Sequence, residues 1–537
     1  MKIPITSFIR GSSGVLTSPT MRTEFAYSDG ADKENYILAT LLAARDCSIF
    51  SQELRRGIRD WASEYHFSQE RHNLLRHITL RPDMHVLELG CGCGAITRQL
   101  GESGARVTAV EGSLQRARAA AARCRDLDNV SVYCSNFQDI EFPQKYDVIT
   151  LIGVLEYSPQ YFNSKHPVRE CLAIAMDALR PHGVLIVAIE NQLGLKYLCG
   201  LHEDHADIRY FGIEDRYGLG TAITFGRREL QDALHEAGLP HVVFQYPFPD
   251  YKIPKAVLTE MAFEDGTFQP QEILRQIPSR DYSGALKPAF DERLAIPVLC
   301  RNGLMRDLSH SFLVLASPDP GGIAGLFDPG LLAAVYTTDR ADAYNIRTSF
   351  IAAGEAIVVK KQRLAPGAPP LAAKDVLLHH PGDETYIAGK ILESEYKKSV
   401  ALRDFDALDR LFSMQVDFLL KEAVIAANAD NPAAAEIKPE YFDCVPSNMI
   451  IHGDRIEYVD REWTLNRPMK LGSLLLRTVD VLHALGGGCP ELGRDRLIAR
   501  LGRLGLEITP EILDEYDTLI TDVLDQVYRD PALDSET

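Results

Sequence analysis

The chain has 537 residues, more than one compact core usually holds, so two to four folded units are expected. Lys and Arg number 57 against 75 Asp and Glu, a net charge of −18, and so acidic a surface repels a phosphate backbone; nucleic acid is excluded as an expected partner. Hydrophobic residues at 46% and charged residues at 25% belong to a globular chain, not a disordered or fibrous one.

The opening MKIPITSFIRGSS is interrupted by Pro4, Thr6 and Arg10 and lacks the apolar run of a secretory leader, so a cytoplasmic location is expected. The stretch 11–20 has no sustained period. Ser51 can cap a helix that carries Leu54, Ile58, Trp61 and Tyr65 at helical intervals, and Leu74, Leu75 and Ile78 continue the pattern. Strand-like runs then alternate with helical ones, at 84–89, 107–111, 130–134, 146–153, 183–190 and 242–248. Such alternation predicts an α/β unit with a mostly parallel sheet covered on both faces. The longest apolar runs, such as 183–189, fall far short of the roughly 18 residues that span a bilayer, and no transmembrane segment is expected. A segment rich in His, Asp, Gly and Tyr, 188–225, follows a strand end, where ligands bind in open α/β sheets. Residues 266–291 read as a connector. Beyond it come strands at 312–316 and 331–336, a hairpin over 345–351 and 356–364, a Pro/Gly/Ala loop at 364–373, a helix over 404–427, a short strand at 456–459 and mainly helices over 471–528. The expected division is a helical N-terminal extension or lid (1–80), an α/β domain (81–265), a linker (266–300) and a C-terminal α+β domain (301–537). Ten cysteines without repeated spacing read as buried free thiols, and Cys91-Gly92-Cys93 is too tight for a zinc knuckle.

The run Val86-Leu87-Glu88-Leu89-Gly90-Cys91-Gly92-Cys93-Gly94 ends a buried strand and opens a helix, and its glycines let a ligand touch backbone where a side chain would collide. A second strand ends in Glu111, twenty-one residues after Gly90, a position suited to two ribose hydroxyls. A dinucleotide site would space its glycines G-x-G-x-x-G, whereas here they stand at 90, 92 and 94 behind an acidic residue. This pattern resembles the class I S-adenosylmethionine-dependent methyltransferases, from about residue 84 to 248, and implies a Rossmann-like fold of seven strands with S-adenosylmethionine as cofactor. On that resemblance Glu88 and Gly90, with Cys91, Gly92 and Gly94, line the methionine side and Glu111 takes the ribose. Asn136 and Phe137 then lie where the family contacts adenine, with Asn136 in place of the usual Asp, and the segment opening at Gly153 floors the transfer site.

Methyl transfer to a hydroxyl needs aligned partners and a base. The nearest reservoir is 189–197 followed by His202-Glu203-Asp204-His205, at the mouth of the sheet. His205 or His202 can deprotonate a sugar hydroxyl, with Asp204 or Glu203 orienting the imidazole. A solvated surface loop is the bland alternative, and a metal held by the two histidines a third, with no further ligand evident. His66 reaches the same mouth if the N-terminal helices form a lid, and otherwise is a packed structural histidine.

In the C-terminal domain, Asp443 and Asn448 stand five positions apart and Asp460 follows across a short strand. A base and two metal ligands in this order have a phosphoryl-transfer logic. The stretch resembles protein-kinase-like and aminoglycoside-phosphotransferase-like enzymes, over about 312–485. It implies Asp443 as base, Asn448 and Asp460 as Mg²⁺ ligands, Lys360 or Lys361 on the phosphates of ATP, and 386–392 as the hinge between lobes. Phe442, Glu462 and Trp463 depart from that pattern and no glycine loop covers the phosphates, so an inactive kinase-like fold is the other reading. A methyltransferase joined to a kinase-like unit resembles the bifunctional enzymes that phosphorylate and methylate the end of bacterial O-antigen chains. The expected function is therefore O-methylation of a glycan or glycan-linked phosphate, in association with glycosyltransferases. The alternatives are a small-metabolite methyltransferase with a non-catalytic recognition domain, and a nucleotide-binding scaffold.

Overall fold

A computed structural model describes residues 2–18, 30–218, 220–282, 288–365, 367 and 376–528. The chain forms two compact units: Met1–Asp265 with Ile277–Tyr336, and Gly266–Gln276 with Thr337–Thr537. The first holds strands β1 (His85–Leu89), β2 (Arg106–Glu111), β3 (Val130–Cys134), β4 (Tyr146–Ile152), β5 (Leu179–Glu190), β6 (His241–Phe248), β7 (Ala256–Thr259), β8 (Ser311–Ser317) and β9 (Leu331–Thr337). They lie in the order β9-β7-β6-β8-β5-β4-β1-β2-β3, and two short N-terminal strands, Leu16–Thr17 and Ile9–Arg10, extend the β3 edge. β1 pairs parallel with β2 and β4, β2 with β3, and β4 with β5. β8 runs antiparallel between β5 and β6, and β7 antiparallel between β6 and β9.

The six strands read from the alternating pattern lie in the centre of this sheet, but the sheet is wider and mixed. Its seventh central strand is β8, whose every residue is buried between β5 and β6. Residues 301–336 therefore belong to the first unit, and the boundary expected at 300 is corrected: β8 cannot bury both faces except inside this sheet. The expected linker is also corrected, since 266–276 and 277–300 go to different units and contain helices Pro270–Leu274 and Glu292–Arg301. The helical run after Ser51 is shorter than its periodicity suggests. Ser51 caps Gln52–Arg56 through the Leu54 amide, the helix stops at Gly57, and Asp60 starts a new helix, Trp61–Phe67, with a capping box to Ser63.

The second unit is α+β. Its hairpin, Ile346–Ala353 with Ala356–Arg363, turns at Gly354 with φ 66°. A strand pair, Met449–His452 with Arg455–Tyr458, packs with helices Leu392–Leu402, Phe405–Glu422 and Leu471–Leu485 around a core that includes Leu408, Phe412, Leu475 and Trp463. The 364–373 loop falls almost wholly outside the described residues, as does the end of the 11–20 stretch. All ten cysteines are free and eight are buried. Among the described residues no helix is long and apolar enough to cross a membrane.

Candidate active site

A cavity of about 310 Å³ opens in the first unit at the C-terminal ends of the central parallel strands. One end is built mainly from backbone. The chain leaves β1 through Gly90, Gly92 and Gly94, all left-handed, with φ of 77°, 56° and 82°. A Cβ on Gly90 would stand 2.5 Å from Val154, and one on Gly92 2.9 Å from the Arg116 guanidinium. Glu88, Gly90, Cys91, Gly92 and Glu111 line this end with Asn136, Phe137 and Gly153. Gly94 does not, which corrects its assignment as a cofactor contact: it is the N-cap of helix Ala95–Glu102, and its Cβ would meet the Ala120 backbone at 2.7 Å. Its glycine serves helix packing.

The Glu111 carboxylate accepts the amides of Gly92 at 2.8 Å and Ser113 at 2.9 Å, so the glycine loop is tied to the end of β2. Each oxygen keeps a lone pair for a ligand hydroxyl. Burial pushes Glu88 up to about 8, and its Oε2 has no hydrogen-bond partner. A cation brought beside a buried carboxyl that lines a cavity ionises it, so Glu88 suits a cationic ligand group.

The other end is made of side chains from distant segments. Trp61, Tyr65 and His66 come from the N-terminal helix, Tyr157 from the turn after β4, Asp204 and His205 from the loop after β5, Tyr251 and Lys252 from beyond β6, and Tyr282 from the expected connector. Arg71 fastens these parts, donating to the Tyr251 and Lys252 carbonyls at 2.8 and 3.0 Å and to the Tyr65 hydroxyl at 3.0 Å. The loop that carries the histidine holds three non-glycine residues at positive φ, Asp207, Tyr210 and Asp215, so it is kept in shape against a local cost.

Glu190, at the end of β5, faces His205: Oε2 lies 3.3 Å from Nε2, while Nδ1 is 3.2 Å from the Tyr157 hydroxyl. Burial alone would lower the His205 imidazole, but Glu190, together with Glu156 and Glu203, outweighs it and raises the ring to about 9. Burial would raise Glu190, yet Lys252 at 2.6 Å and His205 hold it well below the carboxylate range. The orienting role expected of Asp204 is thus corrected. Asp204 is gripped by Lys196 at 2.9 Å and by Lys252, which outweigh its burial and bring it to about 2. Glu203 accepts the amides of His205 and Ala206 and shapes the loop. His202 is also corrected: it pairs with the exposed Asp207 at 2.8 Å and does not line the cavity.

In the second unit, Lys361 stands on the hairpin between Glu384, at 2.8 Å, and Asp460, whose carboxyl burial and Glu462 push up. Asn448 donates to the Asp443 carboxylate at 2.9 Å, and Arg477 pairs with it at 2.9 Å. Lys361 is buried and Lys360 exposed.

Residues 87–185 match the family model of a methyltransferase domain. Over this region the chain is similar to the ubiquinone biosynthesis O-methyltransferase of Coxiella burnetii, 30% identical over 128 residues (23% of this chain, 50% of the relative). It is also similar to that of Rickettsia bellii, 26% identical over 120 residues (22% and 47%). The chain spans about half the length of these curated relatives. Among solved structures it is similar to Haemonchus contortus phosphoethanolamine N-methyltransferase 2 in complex with S-adenosyl-L-methionine, at 15% identity and TM-score 0.28, over 47% of this chain and 53% of that one. Streptomyces coelicolor geranyl diphosphate C-methyltransferase gives 16% identity and TM-score 0.27, over 51% and 86%. Residues 87–185 of the first unit thus match a methyltransferase domain, and they lie in a Rossmann-like arrangement on a large mixed sheet.

Proposed function

We propose, from the methyltransferase domain at 87–185, that the chain methylates a hydroxyl of a glycan or of a glycan-linked phosphate. The carrying observation is the make-up of the acceptor end. Trp61 and Tyr282 form an aromatic wall, with ring centroids 4.1 Å apart, and Tyr157, Asp204, His205 and Lys252 stand beside it. Aromatic faces with charged hydrogen-bonding groups between them suit a sugar ring and its hydroxyls. A prenylated quinone, as the relatives' name suggests, would instead call for an aliphatic channel.

S-adenosylmethionine supplies a methyl group on a sulfonium. On the resemblance, Glu88 meets its amino group, Glu111 the ribose and Asn136 the adenine. His205 takes the hydroxyl proton, and Glu190 positions its ring. The ring at about 9 is mostly imidazolium at neutral pH, so methyl transfer in chelator-treated buffer should climb as the pH approaches that value. Calorimetry with S-adenosylmethionine, followed by transfer of labelled methyl to bacterial surface glycans and to a catechol quinone precursor, tests the reading. Label on the glycan is expected. Label confined to the catechol would replace the proposed acceptor, and no heat with the cofactor would remove the function.

For the second unit we propose phosphoryl transfer with Asp443 as base, Asn448 and Asp460 holding Mg²⁺ and Lys361 on the phosphates of ATP. The support is that Lys361, Glu384 and Asp460 come from three separated segments and meet in one cluster. Mg²⁺-dependent ATP binding should vanish in Asp460→Ala, and a parent protein that binds no ATP would remove this part.

A further inference from the structure

Behind the acceptor end, three donor side chains converge. Glu156 from the turn after β4, Glu190 from the end of β5 and His205 from the following loop offer ligand atoms that all lie within 4.8 Å of one another. Both glutamates are fully buried. Glu156 Oε2 has no hydrogen-bond partner, and Oε1 receives only a long contact, 3.5 Å, from the Tyr251 hydroxyl. A buried carboxyl oxygen without a partner is costly unless a proton or a cation meets it.

The imidazole makes the point sharper. Nδ1 lies 3.2 Å from the Tyr157 hydroxyl, and Nε2 faces Glu190 Oε2 at 3.3 Å with neither of these two atoms in a hydrogen bond. A bare Nε2 lone pair against a carboxylate is repulsive, so a cation belongs between them, either a proton or a metal ion. An outer hydrogen bond that fixes the tautomer is also how metal-binding histidines are held. We propose that Glu156, Glu190 and His205 bind a divalent first-row cation such as Zn²⁺.

Two carboxylates and one imidazole form a donor set that suits Zn²⁺ or Co²⁺ better than Mg²⁺, which prefers oxygen and water. Lys252 does not fill the place, because its ammonium sits 2.6 Å from the other oxygen, Glu190 Oε1.

The ion would hold the imidazole of the proposed base, so it acts as a brake on methyl transfer. This consequence rests on the proposed role of His205; the binding site itself does not. The experiment is therefore a direct titration of the full chain, stripped with chelator, first with Zn²⁺ against a chromophoric competitor and then with Co²⁺. One equivalent is expected, with a Co²⁺ spectrum of nitrogen and oxygen ligands and no thiolate charge-transfer band. Glu156→Gln should weaken binding by roughly tenfold or more while the metal-free variant still transfers methyl, and Tyr157→Phe should weaken it by about tenfold. Zn²⁺ should slow methyl transfer in the parent, reversibly with chelator, and not in Glu156→Gln. No stoichiometric uptake by the parent, a thiolate spectrum, or equal affinity in Glu156→Gln and Glu190→Gln overturns the site. Uptake with methyl transfer that requires the metal would keep the site and overturn His205 as base.

Discussion

The two ends of the cavity are built from different materials. At the cofactor end, the stretch from Glu88 to Gly92 and one carboxylate, Glu111, supply much of the lining, shaped by a backbone amide bond and the room that glycines leave. At the acceptor end, the lining side chains come from five separate segments between Trp61 and Tyr282, and ionic pairs hold them. A backbone cradle tolerates exchange of most neighbouring side chains and binds a constant ligand; a side-chain mosaic can be rebuilt for a new acceptor without disturbing it. Cofactor binding and acceptor chemistry should therefore separate cleanly under mutation.

The largest separation is expected for His205→Ala. Methyl transfer should fall by on the order of 10²–10⁴ in single turnover, the usual span for removal of a positioned base, while cofactor affinity stays within about twofold. A parallel loss of cofactor affinity would break the division between the two ends. Glu111→Ala should do the reverse. It removes the acceptor of the Gly92 and Ser113 amides, and cofactor binding should weaken by about 1.5–3 kcal/mol, roughly tenfold to a hundredfold by calorimetry. Unchanged affinity would strike Glu111 from the site.

The same division decides what the sequence could disclose. The strands at 146–153 and 183–190 were legible because a buried parallel sheet writes near-continuous apolar runs, and the glycine turn because its chemistry is local. The acceptor end was only half legible. His205 was visible from its place after a strand, but Glu190 was not separable as its partner, since nothing in the spacing tells which carboxylate a histidine will face. Arg71, Trp61 and Tyr282 look like an amphipathic helix and a connector in sequence, and only tertiary packing brings them to the cavity. β8 was assigned to the wrong unit for a related reason: an antiparallel strand that returns after more than sixty residues carries no mark of the sheet it joins.

Gly94 sharpens the comparison from inside the cofactor end. Its left-handed φ of 82° and the approach of Ala120 at 2.7 Å make Gly94→Ala destabilising, by about 1–3 kcal/mol from the backbone strain alone. Because it does not line the cavity, cofactor affinity of the protein that remains folded should be unchanged. Equilibrium unfolding beside calorimetry separates these, and a stable variant that fails to bind would return Gly94 to the ligand contacts.

The smallest effect is the most diagnostic, because it concerns a proton. Burial raises Glu88 to about 8, so the folded protein retains a proton that the unfolded chain releases near the ordinary glutamate value. The unfolded state then binds fewer protons between about pH 4.5 and 8, and stability falls as pH rises through that window. Glu88→Gln should remove this slope, with a Tm at pH 8 above the parent's and almost no change at pH 5. If Glu88 also meets the cofactor's ammonium group, that charge will ionise it, so binding at pH 7 should release a proton, measurable from the dependence of the binding heat on the buffer's ionisation enthalpy. Proton release without the pH-dependent Tm difference would put the titrating group elsewhere; the Tm difference without proton release would leave Glu88 buried for packing and move the ammonium to another acceptor.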